Sequence, residues 1–464
     1  MFISKTVVIC DNEFLSILYL MNLEVYLATE VEHFTTTEAA IDFLKTVNKP
    51  TNKTDKKVNL IIALEMVNKK KSSILLEEYR SGYGIKTPLL ILGSEKDMDL
   101  NPITFSISNR YNIQGIIKKA AGILAVTAKQ MAEMQITPYY PVSIVPMVEV
   151  LKKAPCNIYF EEESKFKLFA KNEDALELGL LSIKEKGHKY LFVKSGERLV
   201  IVNKVSLHLI EKITSSLKDL AGSTTASTEK KVEALSDGYE FAAANLFSSD
   251  EIKTEMAEIA NASAKVMGDV AKDSANLKAL MATMLNNKSG YIFTHSMITS
   301  YVANHIIKNV SWGGENQTDK INFILFFHDI YLSPIYLKHP ELKFEKILHN
   351  HPSLNEKEKE IVMNHAKMAA ELVVSYKRCP MGADMMIKHH HGMKKGSGFA
   401  NKYPEDLSPL SKVLLVAEAF VEHFIETTDR KEKVEMKAII PKLVEEFGLP
   451  SYIKIVQTLV NLPL

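Results

Sequence analysis

The chain is predicted to be multidomain: an N-terminal α/β domain over residues 1–127, a small α+β domain over 137–213, a helical linker over 214–289 and a C-terminal all-α bundle over 290–464. Three observations predict this order. The first stretch alternates short β-rich runs with amphipathic helical pattern, the mark of a parallel sheet with crossover helices. The second is built of short extended runs separated by turn residues. From Tyr291 onward the apolar repeats are helical, and eleven of the fourteen histidines fall between His295 and His423.

Size and composition agree. A chain of 464 residues exceeds what one hydrophobic core supports. Hydrophobic residues make up 46% and charged residues 24%, the usual balance of a soluble globular protein. A formal net charge of +1 provides no basic field for a nucleic acid polymer and no acidic excess for disorder. Cys10, Cys156 and Cys379 are far apart and form no CxxC, which suggests reduced thiols and a cytoplasmic protein. The N-terminus has no signal-peptide pattern, and Phe14–Leu27, broken by Asn22 and Glu24, is too short to span a bilayer. No membrane span is expected.

In residues 1–127 the expected strands are Thr6–Asp11, Glu24–Thr29, Val58–Leu64 and Pro88–Leu92. Helices are expected at Thr37–Val47, from the Ala39, Ala40, Phe43 and Leu44 spacing, and at Ile113–Ala125. The stretch resembles a degenerate response-regulator receiver domain. The acidic corner after the first strand survives in part, as Asp11-Asn12-Glu13. The third strand, Asn59 to Glu65, lacks the phosphate-accepting aspartate, and Glu65 is the nearest acid. The Ser/Thr after strand four falls near Gly93-Ser94, and no strand-five lysine is evident. The resemblance implies a docking or self-association module that is not phosphorylated; an unrelated flavodoxin-like domain is the alternative.

The second region offers extended runs at Asn157–Phe160, Lys165–Phe169, Tyr190–Val193 and Arg198–Val202, with a helical stretch at Glu173–Lys186. It carries no chemical motif. A flexible break is expected at Ala221–Thr228, then helices at Val232–Leu246 and Glu251–Leu285. Such helices commonly connect a regulatory to an output domain and can pair between protomers.

The C-terminal third carries the chemistry. Asn322–Ile330 is an almost wholly apolar helix ending in His328-Asp329, which places two polar side chains in the interior. His365 shares a stripe with Ile361, Met368 and Leu372. Glu418 sits among Leu414, Leu415, Ala417 and Val421, and His295 precedes Ile298 and Val302. His389-His390-His391 forms a run. Each residue has a plain alternative: a hydrogen-bonded core histidine, an exposed polar turn, a glutamate paired with a lysine. Together they need one cause, and an internal metal site in a helical bundle supplies it.

The order His, His-Asp, His, His-His, acid over roughly Gly290–Glu426 resembles the HD-GYP subset of the HD-domain phosphohydrolases, which is all-helical. Supporting details are Thr294-His295-Ser296, the Leu354 to Leu372 helix with Glu358 and His365, and Gly396-Ser397-Gly398 after His390-His391. The resemblance implies two divalent or transition metal ions, Fe or Mn, and hydrolysis of cyclic di-GMP or a related cyclic dinucleotide. The implied ligands are His295, His328, Asp329, His365, His390, His391 and Glu418, with Asp329 bridging the metals and orienting the hydroxide. His389 falls outside the motif's register, and His339, His349 and His351 lie in a longer loop, where solvation is expected.

The departures bear on substrate. The glutamate one turn before the first histidine is Tyr291, which favours two ions over three. The lysine after His-Asp is Leu332, the glutamate after His-His is Gly392, and the aspartate before Gly-Ser-Gly is Lys395. Gly-Tyr-Pro reads Gly398-Phe399-Ala400. The last aspartate is Glu418, and the second acid after it is Val421, with Glu422 beside it. Lys388, Lys394 and Lys395 are the cations near the histidine run; Lys394 and Lys395 are the candidate substrate contacts, an ordinary solvated loop being the alternative. A catalytically impaired metal- or nucleotide-binding sensor or scaffold is the competing expectation.

Overall fold

The computed structural model describes residues 4–47, 57–94, 98–101, 103–127, 129–130, 138–246, 250–286, 290–342, 345–348, 351–376, 379–391 and 407–464. The chain divides into two compact units, Met1–Leu209 and Ile210–Leu464. Among the described residues no helix is long and apolar enough to cross a membrane.

The first unit opens with β1 (Ser4–Ile9), α1 (Glu13–Leu27), β2 (Thr29–Phe34), α2 (Thr37–Val47) and β3 (Leu60–Leu64). The short β4 (Met66–Val67) and β5 (Lys70–Lys71) form a hairpin, followed by α3 (Ser72–Tyr83), β6 (Leu89–Leu92), β7 (Met98–Asn101), β8 (Thr104–Ile107) and α4 (Ile113–Ile123). The sheet order is β2-β1-β3-β6-β8-β7, parallel except where β7 meets β8. β3 and β6 are buried along their whole length, as the continuous runs LIIAL and LLIL require in a sheet covered on both faces.

Glu24–Thr29 is not a strand. α1 runs through Leu27, Ala28 closes it at φ 46, and the second strand is Thr29–Phe34. The β-rich letters misled because α1 is buried on nearly every side, so apolar packing overrides propensity. The true strand places Glu30 and Glu32 within 3.9 and 3.1 Å of Lys5 Nζ on β1. Asn12 caps α1 through Leu15 N at 3.0 Å, Asp11 accepts from Asn68 N at 2.6 Å, and Glu65 lies 3.8 Å from Lys71.

A second sheet, β11-β10-β12-β9, is antiparallel throughout and comprises β9 (Tyr139–Ser143), β10 (Ile158–Glu162), β11 (Lys165–Ala170) and β12 (Tyr190–Lys194). α5 (Ile144–Val150) and α6 (Glu177–Glu185) accompany it. β9 escaped the sequence reading because Pro141 interrupts it; Pro is tolerated on an edge strand. Arg198–Val202 is helical instead of extended, the first turns of α7 (Arg198–Leu220). Ile201, Val202, Val205, Leu209 and Ile210 are buried at helical spacing, and that longer period outweighs the local β-branched run. α1 is joined to this sheet by Glu24, which accepts from Ser143 Oγ at 2.7 Å and Ser143 N at 3.3 Å, while Tyr140 Oη donates to the Glu24 carbonyl at 2.5 Å.

The second unit is helical: α8 (Thr228–Ala244), α9 (Asp250–Asp273), α10 (Leu277–Asn286), α11 (Tyr291–Asn309), α12 (Glu315–Phe327), α13 (Ser333–Lys338), α14 (Glu345–Leu348), α15 (Glu356–Val374), α16 (Ala383–Lys388), α17 (Pro409–Asp429), α18 (Met436–Phe447) and α19 (Pro450–Thr458). The helices of 214–289 pack inside this unit: α9 lies against α8, α11 and α12. The turn at Ala221–Thr228 is tied down, Gly222 N donating to Asp269 at 2.6 Å and Ser227 capping α8. The pattern at Glu251–Leu285 breaks at Ser274, where α9 gives way to α10. Asn322 pins three helices together: its Nδ2 donates to Ala264 O at 3.0 Å, and its Oδ1 accepts from Ser300 Oγ at 2.7 Å.

Candidate metal centre

Five segments bring the candidate ligands together. α12 presents Phe323, Ile324, Phe326 and Phe327 to the core, so the residues at its end are carried inward with it. His328 is its C-cap, and Asp329 follows at φ −113, ψ 9, in the sparsely populated bridge region where site residues often sit. α15 starts at a capping box, Asn355 with Glu358, and its buried stripe runs through Val362, His365, Ala366, Ala369 and Val373. Ile361 and Met368, assigned to that stripe from sequence, are only half-buried. α16 begins after Gly382, whose φ of 75 favours glycine, and delivers His390 and His391 just beyond its end. α17, capped by Ser408 with Pro409 in its first turn, carries Glu418, and α11 carries His295.

The seven residues form two groups, Asp329 with His365, His390 and His391, and His295 with His328 and Glu418; within each group the donor atoms all lie within 4.8 Å of one another. Asp329 touches both. Its Oδ1 is 3.5 Å from His365 Nε2 and 3.3 Å from His390 Nε2, and its Oδ2 is 3.2 Å from His328 Nε2. Glu418 divides its oxygens likewise, Oε1 at 3.2 Å from His328 Nε2 and Oε2 at 2.6 Å from His295 Nε2.

Three of the rings are locked in one way. Nδ1 of His328, His365 and His390 donates to the carbonyl three residues back, Leu325 at 3.0 Å, Val362 at 2.6 Å and Ile387 at 2.6 Å. A carbonyl only accepts, so Nδ1 holds the proton and, in the neutral ring, the Nε2 lone pair faces the cluster. His365 Nε2 then lies 3.3 Å from His390 Nε2 and 3.0 Å from His391 Nε2. In the His365–His390 pair both are acceptors, and acceptors that face one another at this distance repel unless a proton or cation comes between them.

The electrostatics agree. Burial alone disfavours charge on every group here. Burial lowers His295 and His328, but the Glu418 carboxylate raises His295 above its ordinary value and Asp329 with Glu418 raise His328 well above it. Burial raises Asp329 and Glu418, yet the histidines outweigh it: His328 holds Asp329 well below the usual carboxylate range, and His295 with His328 hold Glu418 below it. Burial lowers His390, and burial with the neighbouring imidazoles lowers His391 strongly, keeping both neutral as ligands must be. No lysine or arginine among the described residues pairs with Asp329 or Glu418.

The donors fit divalent cations. His328 Nε2, Asp329 Oδ1, Glu418 Oε1 and His295 Nδ1 are buried without a hydrogen-bond partner among the described residues, an expense that bound cations remove at the first three. Imidazole and carboxylate donors with backbone-locked tautomers suit first-row transition metals. The buried His, Asp and Glu groups are thus compatible with metal binding.

The other histidines divide. His389 belongs to neither group. His339, expected to be solvated, has only 13% of its side chain exposed and lies 3.7 Å from Glu341 and from Glu358; it caps α13 and so faces the start of α15. His349, Lys394, Lys395 and Gly396-Ser397-Gly398 lie outside the described residues. Leu332 is fully buried where the resemblance expects a lysine. Tyr291 stacks near His295, centroids 6.2 Å apart, and against Tyr336 at 4.9 Å. Sequence reasoning missed Tyr239 on α8, whose ring packs against both ligand-bearing helices α11 and α12; nothing in the pattern of 228–244 marks it.

No family model matches the chain, and no curated protein matches it. Among solved structures it is similar to Bd1817, an HDG"Y"P protein from Bdellovibrio bacteriovorus, at 17% identity and a TM-score of 0.35, over 70% of this chain and 98% of that one.

Proposed function

We propose that the Ile210–Leu464 unit is a metal-dependent phosphohydrolase centre of divergent HD-GYP type, acting on a phosphodiester, with cyclic di-GMP or a related cyclic nucleotide as the substrate to try first. One observation carries the reading: two groups of buried donors share Asp329, one carboxylate oxygen facing each group. One cation would be held by His365, His390, His391 and Asp329, the other by His295, His328, Glu418 and Asp329, with Fe or Mn suited to the mixed donors. Two cations so held supply Lewis acidity and activate water beside a phosphoryl group.

The protein's own part is positional. Backbone carbonyls of Leu325, Val362 and Ile387 fix three rings so that their lone pairs converge. Asp329 couples the two groups, one carboxylate oxygen turned toward each. Lys394 and Lys395 are proposed as the phosphate-facing cations. The receiver-like region and the helices of 214–289 are proposed to serve docking or self-association. The test is metal analysis of protein purified without chelator, with a phosphodiesterase assay on cyclic dinucleotides. Two equivalents of transition metal and metal-dependent release of linear product support the reading; metal-free native protein ends it.

Buried Leu332 favours a second reading, in which the centre binds metal and nucleotide without turnover and the chain serves as a sensor or scaffold. Retained metal with binding but no cleavage of any cyclic dinucleotide would select it.

A further inference from the structure

The donor cluster is open on one side. His328, Asp329, His365 and His390 have only 1–2% of their side chains exposed, but His295 and Glu418 have 11% and 18%. A ligand can therefore reach the second donor group from solvent on the His295–Glu418 side. Tyr291 stands at that opening. It is the first residue of α11, one turn before His295, and residues four apart share a helix face. Its ring lies 6.2 Å from the His295 ring, centroid to centroid, with 25° between the planes. Tyr336 of α13 braces it at 4.9 Å and 48°. Tyr336 is 4% exposed whereas Tyr291 is half-buried, so the bracing ring belongs to the core and Tyr291 to its rim.

A phosphoryl group at the donor cluster has no use for an aromatic ring, but the rest of a nucleotide does. A nucleobase presents two flat faces, and stacking on an aromatic side chain tolerates any base because each has a π-face. Tyrosine suits a rim position, since it combines an apolar ring with a polar tip. We infer that Tyr291 is the base-binding residue of this centre, its ring stacking on a nucleobase whose phosphoryl group sits at the His295–Glu418 end of the cluster. The inference rests on the phosphohydrolase reading above and narrows its substrates from phosphodiesters in general to nucleotides. The braced ring is held in place before the ligand arrives, which limits the ordering cost of binding.

The test uses the full-length protein loaded with Mn(II) and two probes that differ in the base, guanosine monophosphate and ribose 5-phosphate. Manganese content and both affinities by calorimetry are measured on the parent, Tyr291→Phe and Tyr291→Ala. Tyr291→Leu, which keeps apolar bulk against Tyr336, stands in if the alanine variant does not fold. The parent should bind guanosine monophosphate more tightly than ribose 5-phosphate. Tyr291→Ala should weaken guanosine monophosphate by roughly 5- to 150-fold, the loss of one base–aromatic stack, with ribose 5-phosphate and manganese unchanged. Tyr291→Phe should bind both probes as the parent does. Three results overturn the inference and leave the phosphohydrolase reading standing: a parent that binds the two probes equally, unchanged guanosine monophosphate affinity in Tyr291→Ala, or a loss in Tyr291→Phe as large as in Tyr291→Ala. An equal loss for both probes, or lost manganese, in the alanine and leucine variants also overturns it, since the ring would then support His295 and not a base. A parent that binds neither manganese nor ribose 5-phosphate ends the reading of the site, and the inference with it.

Discussion

Glu24 offers a test of the fold that is independent of the metal centre. It is fully buried on α1, and among the described residues its carboxylate is met only by the N–H and hydroxyl of Ser143, with no cation to compensate it. Burial raises its pKa from 4.5 to about 8, with the Ser143 hydrogen bonds opposing and Glu30 adding slightly. The sign follows from proton counting. Below about pH 4.5 folded and unfolded forms both hold the proton. Between about 4.5 and 8 the unfolded chain releases it and the folded one does not, so stability falls as pH rises through this window and levels off above it. The full shift corresponds to roughly 5 kcal/mol at about 1.4 kcal/mol per pH unit, and relaxation around the carboxylate reduces that to a few kcal/mol. Glu24→Gln retains a hydrogen-bonding side chain of the same size and removes the titration. Hydrogen exchange in β1 and β3 at pH 5, 6, 7 and 8 should show protection that declines in the parent and stays level in the variant. A parent with no decline, or a Glu24 carboxyl titrating near 4.5 by carbon NMR, would refute the reasoning.

Three further outcomes are expected. Asp329→Asn removes the carboxylate common to both donor groups, so metal analysis should show loss of both ions rather than one, and any phosphodiester turnover should vanish with them. Chelation should lower the thermal midpoint of the helical unit: a ligand at a thousandfold excess over its Kd contributes about 4 kcal/mol, which for a unit of this size is about 10 °C by calorimetry. Asn322→Ala strips Ser300 Oγ and the Ala264 carbonyl of their partner in a fully buried place; it should cost about 2–3 kcal/mol in denaturant titration while leaving the ligand residues themselves intact.

How much was legible depended on the range of the signal. The histidines and acids of the site could be found in the chain because each stands out against an apolar helical repeat, a contrast visible within a dozen residues. All seven converge. The Thr37–Val47 helix was legible for the same reason. Glu24–Thr29 and Arg198–Val202 were not, because β-branched letters there belong to helices whose burial only neighbouring elements impose.

Sequence alone thus determined which side chains are polar in an apolar setting, and so which residues the site would draw on. Only the tertiary structure decided that Asp329 turns one oxygen to each donor group, that three backbone carbonyls set the histidine tautomers, and that Tyr239 on α8 packs against the helices that carry His295 and His328. The tautomer locks are local, but Asp329 meets His365 and His390 from 36 and 61 positions away (365 − 329 and 390 − 329), and no local periodicity encodes a distance across the core.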